Sequence, residues 1–228
     1  MTTFVLVHGA WHGAWCWERL VPLLEARGHA AVAVDLPSSD PGAGLAEYAA
    51  AVETVVPDDG DAVLVGHSVA GLVLPQVRIP LRRLVFLCAM AAAPGDSMRE
   101  LTAREPVFSP GWPELSARLI TPGDGSSAWP PDPATEAFYH DCPREVADAA
   151  VARLRPQFWR FQKEPVAALP EGVPVTSVLC REDRVINPAW SRETAPERLG
   201  VEAVQLDGGH SPQLSRPEEL ADLLDSVS

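Results

Sequence analysis

Ala62–Leu74 reads AVLVGHSVAGLVL. Its first four residues are an apolar, β-branched run of strand character, and Ser68 to Leu74 is small and apolar at helical spacing. Gly66-His67-Ser68 leaves room between them only for a tight turn. A turn that sharp forces its apex, Ser68, into a backbone conformation that L-residues rarely adopt and lifts the hydroxyl clear of the sheet. Neighbouring side chains must then be small, as Gly66 and Ala70 are. The pattern departs from G-x-S-x-G at its last position, where Ala70 precedes Gly71. An ordinary strand-to-helix turn has the same local look, so the flanking chain has to decide.

Five further apolar runs lie outside this one, at Phe4 to Val7, Ala31 to Val34, Leu84 to Leu87, Val175 to Leu179 and Ala203 to Leu206. They are short and apolar on both faces, as strands between two helix layers are. Helical stretches are predicted at Trp17 to Arg27, closed by Gly28; Gly44 to Val56, closed by Pro57; and Ser68 to about Val77. Pro217 to Val227 opens with a first-turn proline followed by Glu218 and Glu219, a helix N-terminal signal. The alternation predicts an α/β domain with a six-stranded, mostly parallel sheet flanked by helices. It is interrupted over residues 91–173, which hold 12 of the 23 prolines and eight of the fifteen aromatics. That segment is expected to be a loop-rich aromatic cap inserted between the fourth and fifth strands, on a core made of residues 1–90 and 174–228.

Three other stretches supply chemistry in the order such a sheet requires. In FVLVHGAW (Phe4–Trp11) the opening strand ends in His8-Gly9, and the chain turns across the top of the sheet. The backbone N–H groups of Ala10 and Val69 are then the expected oxyanion hole. In VEAVQLDGGHSPQL (Val201–Leu214) the last strand is followed by a glycine turn and His210, the expected general base. In VTSVLCREDRVINP (Val175–Pro188) the preceding strand is followed by Glu182 and Asp183. Asp183 is favoured as the acid that orients the imidazole, because its shorter side chain suits the end of a loop. Of the remaining histidines, His8, His29, His67 and His140 read as structural, with His67 pointing away from the serine. His12, beside the oxyanion loop, is a candidate pocket residue.

HGAWHGAWCW (His8–Trp17), GHSVAG (Gly66–Gly71) and GGH (Gly208–His210) together resemble the α/β-hydrolase superfamily, and more narrowly its plant methylesterase and hydroxynitrile lyase branch. DCPREVADAAVARLRPQ (Asp141–Gln157) is similar to that branch's cap helix, beginning beside Cys142 and ending in Arg155-Pro156. The resemblance implies the α/β-hydrolase fold and a Ser68, Asp183, His210 triad. The lyases of the branch carry Thr where this chain has Gly9, and Lys where it has Ser211. A neutral serine cannot hold a departing cyanide anion, so the resemblance implies an esterase.

Composition narrows the partners. With 31 acidic and 18 basic residues the net charge is −13, which repels nucleic-acid phosphates and anionic membrane surfaces. No apolar run approaches the roughly 18 residues of a membrane span. The start, MTTFVLVHG, lacks a basic n-region and reads as cytoplasmic rather than secretory. Cys16, Cys88, Cys142 and Cys180 form neither a disulfide framework nor a metal motif, and no metal or organic cofactor is called for.

The predicted activity is hydrolysis of a small, moderately apolar carboxylic ester or lactone through an acyl-enzyme. Trp11, His12, Trp112, Trp129, Phe138, Phe158 and Trp159 are candidates to line the substrate pocket, and oligomeric state is not readable. Two rivals stand at this point. One is a triad enzyme of a biosynthetic pathway doing acyl transfer, cyclisation, elimination or C–C cleavage, and the other is a binding protein that leaves its triad idle.

Overall fold

The computed structural model describes residues 1–58 and 60–228. The apolar runs become β1 (Thr3–Val7), β2 (Ala30–Val34), β3 (Ala62–His67) and β4 (Arg83–Leu87). After an excursion containing the short pair β5 (Ser126–Ser127) and β6 (Gln157–Phe158), the chain returns as β7 (Val175–Cys180) and β8 (Ala203–Leu206). The six long strands form one parallel sheet in the order β2-β1-β3-β4-β7-β8, while β5 and β6 pair antiparallel. The order reverses between β1 and β3, the place where open α/β sheets leave a crevice at their carboxyl ends.

Side-chain alternation divides the core. Phe4, Leu6, Val63, Val65, Val85 and Leu87 face a layer that contains Trp17, Leu20 and Leu24, while Val5, Val7, Leu64, Leu84 and Phe86 face the opposite layer. All of these strand residues are essentially solvent-free, as double coverage demands. The two edge strands depart from that expectation: Val32 on β2 is 36% exposed and Val204 on β8 is 43% exposed. Each has a neighbour on one side only, and its outer face is left uncovered.

The flanking helices are α1 (Val21–Ala26), α2 (Leu45–Glu53), α7 (Pro188–Leu199), α8 (Pro212–Ser215) and α9 (Pro217–Ser226). Two of the predicted helical stretches change character. Trp17 lies in a 3₁₀ turn, Ala14–Trp17, and α1 starts only at Val21, where Pro22 fits the first turn. The stretch after Ser68 is not an α-helix but two 3₁₀ turns, Ser68–Leu72 and Leu74–Gln76. Pro75 has no N–H to bond the carbonyl four residues back, so the α ladder cannot run through it.

Between β4 and β7 lies the cap, which carries α3 (Met98–Arg104), α4 (Trp112–Ser116), α5 (Pro131–Phe138) and α6 (Arg144–Val151). None exceeds eight residues, in keeping with their proline spacing. A bidentate ion pair from Arg155 to Asp35, at 2.8 and 2.9 Å, fastens the cap to the end of β2. No helix among the described residues is long and apolar enough to cross a membrane.

Candidate active site

Ser68 has φ +59°, the strained conformation expected of the apex of a strand-to-helix elbow. The turn is possible because its neighbours are stripped down. A Cβ on Gly66 would meet Leu74 at 2.8 Å, and one on Gly71 would stand 2.1 Å from the Met90 carbonyl oxygen. Gly71, not the missing glycine at position 70, is therefore where the elbow needs a bare backbone, and the methyl of Ala70 is buried without conflict.

β7 and β8 end side by side, with Cys180 in register with Leu206, so the loops after them emerge together. There His210 Nδ1–H donates to Asp183 Oδ2 at 2.8 Å, both side chains being 2% exposed. The other carboxylate oxygen, Oδ1, accepts the Val185 and Ile186 amides at 2.7 and 3.0 Å, so Asp183 has no freedom to turn. Glu182 is exposed. The glycine turn before His210 is bonded to the cap through Gly209 N–H and Asp141 at 2.8 Å. His67 also has a part the sequence did not suggest. Its Nε2–H donates to the His210 carbonyl at 2.7 Å, and the two rings lie 4.6 Å apart. Complete burial holds its pKa well below the ordinary imidazole value, so it stays neutral beside His210.

Val7 pairs with Gly66, which sets the loop after β1 against the elbow. The Gly9 carbonyl accepts from His8 Nδ1–H at 2.8 Å, and His8 Nε2 accepts the Leu36 amide at 3.0 Å. Burial lowers the His8 pKa to about 4, which keeps this tautomer neutral. The N–H of the same peptide belongs to Ala10, which with Val69 and Ser68 borders one cavity. Trp11 follows at φ +63°, with its amide on Gln157 Oε1 at 3.3 Å and its indole N–H on Ser127.

That cavity measures about 600 Å³ and opens between the elbow and the cap. Of the aromatics expected in its wall, Trp11, Trp112 and Trp159 are there. Trp129 and Phe138 are not: they pack behind Trp11, with ring centroids 5.5 and 5.8 Å from it, and so form the cap's own core. Phe158 is also absent from the wall, because β6 commits it to the pairing with β5 and to a bond from its amide to the Ser38 carbonyl. His12 is fully enclosed, with both ring nitrogens bonded to protein, and does not reach the cavity. Met90, Met98, Phe108, Leu119 and Val185 complete the apolar surface, and among the described residues no charged side chain lines it. Met90 was findable, since it follows β4 at the sheet edge from which the other site residues emerge. Among the described residues, no three His, Cys, Asp or Glu side chains are grouped to hold a metal.

The sequence matches the Alpha/beta hydrolase family over residues 4–223. The chain belongs to that family. Among this hydrolase's curated relatives are Methylesterase 2 of Arabidopsis thaliana, 28% identical over 256 residues that cover 99% of this chain and 95% of that protein. A probable esterase of Oryza sativa subsp. indica is 31% identical, covering 97% and 94%. The solved structure of a pyrethroid hydrolase from Sphingobium faniae JZ-2 superposes with a TM-score of 0.83 at 25% identity, covering 99% of this chain and 96% of that one.

Proposed function

We propose that this hydrolase cleaves uncharged, apolar carboxylic esters through a Ser68 acyl-enzyme. The observation that carries the reading is the buried His210–Asp183 pair, on the loops after β7 and β8, together with a charge-free cavity bordered by Ser68, Ala10 and Val69. Esterases and a methylesterase among its relatives support the same chemistry.

In this mechanism Ser68 Oγ attacks the ester carbonyl, and His210 Nε2 takes the hydroxyl proton while Nδ1–H stays on Asp183. The Ala10 and Val69 amides hold the oxyanion, a stabilisation worth about 3 to 4 kcal/mol per donor. Collapse expels the alcohol, which receives the proton from His210. Water, deprotonated by the same ring, then attacks the acyl-enzyme, and collapse breaks the bond to Ser68 Oγ, which takes the proton back from His210 as the acid leaves. A cavity of about 600 Å³ suits a drug-sized ester. Its wall offers the carboxylate product no cation, and a net charge of −13 favours its departure. Ser211, where the lyases of the branch keep a lysine, is buried and neutral. Small-molecule esters are thus the partners, and the four free cysteines suit a cytoplasmic setting.

The test is p-nitrophenyl ester turnover by the wild type and Ser68→Ala, with fluorophosphonate labelling. Ser68-dependent turnover is expected; its absence, together with no labelling, overturns the reading.

A further inference from the structure

His12 lies two residues beyond Ala10 and makes two buried hydrogen bonds of 2.7 Å, one to the Ala10 carbonyl and one to the Tyr139 hydroxyl. Their directions are fixed by chemistry. A carbonyl can only accept, so Nδ1 carries the ring proton. The ring is neutral, its pKa lowered to about 3 by burial, so Nε2 is an acceptor and Tyr139 O–H must donate to it. The result is a one-way chain, Tyr139 O–H to His12 to the Ala10 carbonyl. The neighbouring amide, Trp11 N–H, is held by Gln157, whose own side-chain NH₂ donates to the Tyr48 hydroxyl at 2.9 Å. Arg155 adds a bond from its guanidinium to the His12 carbonyl at 2.9 Å, and its amide donates to the Trp11 carbonyl at 2.8 Å. The peptide that follows Ala10 is therefore pinned by His12 at its C=O and by the cap at its N–H. The peptide that precedes Ala10 is pinned by His8.

We infer that Tyr139 is a positioning residue for the oxyanion hole, acting through His12 to set the direction of the Ala10 amide. The inference rests on the esterase reading above. Trp11 holds a positive φ that a non-glycine residue leaves readily when its restraints are removed. Losing the tyrosine hydroxyl frees the imidazole to tilt. The Ala10–Trp11 peptide then loses the support at its C=O, and its shift reaches the Ala10 amide through the shared Cα, where only the His8 bond to the Gly9 carbonyl resists it.

The experiment is a double-mutant cycle on p-nitrophenyl acetate, combining Tyr139→Phe with His12→Asn. Asparagine places its side-chain N–H as many bonds from Cα as the histidine Nδ1–H, so it can hold the Ala10 carbonyl without Tyr139. In the wild-type background Tyr139→Phe is expected to lower kcat about ten-fold, part of the roughly 10² to 10³ that full loss of a donor costs, with KM nearly unchanged. Inhibition by a trifluoromethyl ketone, whose adduct carries an oxyanion, should weaken by the same factor. In the His12→Asn background the added Tyr139→Phe change should cost little, which shows coupling through the ring. An unchanged kcat, a loss confined to KM, or the same loss in both backgrounds overturns the inference. Failure of the esterase reading registers separately, as absence of Ser68-dependent turnover in the wild type.

Discussion

Gly9 lies so close to Ser68 that a Cβ on the glycine would stand 2.8 Å from the serine Cβ. The same atom would be 3.2 Å from His67 Nδ1 and 3.3 Å from the His67 carbonyl. Ser68 sits on a strained turn and His67 is fully buried, so neither can yield, and the loop carrying Ala10 has to move instead. Gly9→Thr is expected to lower kcat/KM about 100-fold, the scale of losing one oxyanion donor. The melting temperature should fall by much less than a core disruption would cause. Steady-state kinetics and a thermal melt check this together, and full activity would show that the loop accommodates a side chain.

Asp183 has both oxygens committed, one to His210 and one to two backbone amides. Asp183→Asn must turn an NH₂ toward one of those sets. Either the amide faces Nδ1 and imposes the wrong tautomer, or it faces the Val185 and Ile186 amides and loosens the loop. We expect kcat to fall about 10³ to 10⁴-fold with KM altered little, by initial-rate kinetics on a p-nitrophenyl ester.

Acid stability follows from His8 and His12. Their pKa values are lowered from 6.5 to about 4 and about 3 by burial, so between roughly pH 6.5 and 4 the unfolded chain binds protons that the folded one does not. Stability is therefore complete above pH 6.5 and declines as the pH falls toward 4. Each such histidine contributes a slope of about 1.4 kcal/mol per pH unit within that window. Urea midpoints at pH 7.0, 5.5 and 4.5 should decrease in that order, and a flat series would contradict the burial of neutral imidazoles.

Ser127 Oγ accepts two indole N–H groups, from Trp11 at 3.1 Å and Trp159 at 2.8 Å. Both rings line the cavity. Ser127→Ala leaves the Trp159 N–H without its acceptor, while Trp11 keeps the Ser127 carbonyl at 3.2 Å. A loss of about 1 to 2 kcal/mol in urea unfolding is expected. For an aryl ester the effect should appear as a several-fold higher KM with kcat nearly preserved, since the altered wall contacts the substrate and not the reacting atoms.

The parts of the site that were legible in the sequence are those attached to strand ends. Ser68, Asp183 and His210 each follow an apolar run at a short distance, so parallel pairing puts them on one sheet edge whatever the rest of the chain does. The 3₁₀ turns after Ser68 were partly legible, since Pro75 denies an α ladder one of its N–H donors. Trp129, Phe138 and Phe158 were not, because whether a cap aromatic faces the cavity or the cap interior depends on contacts between short elements far apart in sequence. His12 and His67 show a different limit. His12 was a candidate for the pocket and His67 read as structural, and the partners that define them, Tyr139 and the His210 carbonyl, lie 127 and 143 residues away.

The anchoring of Trp11 and His12 by Ser127, Tyr139, Arg155 and Gln157 bears on how such enzymes can be recombined. A chimera that keeps residues 1–90 of this chain and takes a foreign segment between β4 and β7 inherits the proposed oxyanion loop with its supports left behind. Exchange of specificity by grafting would therefore need those four side chains to travel with the host, written into the donor segment at matching places.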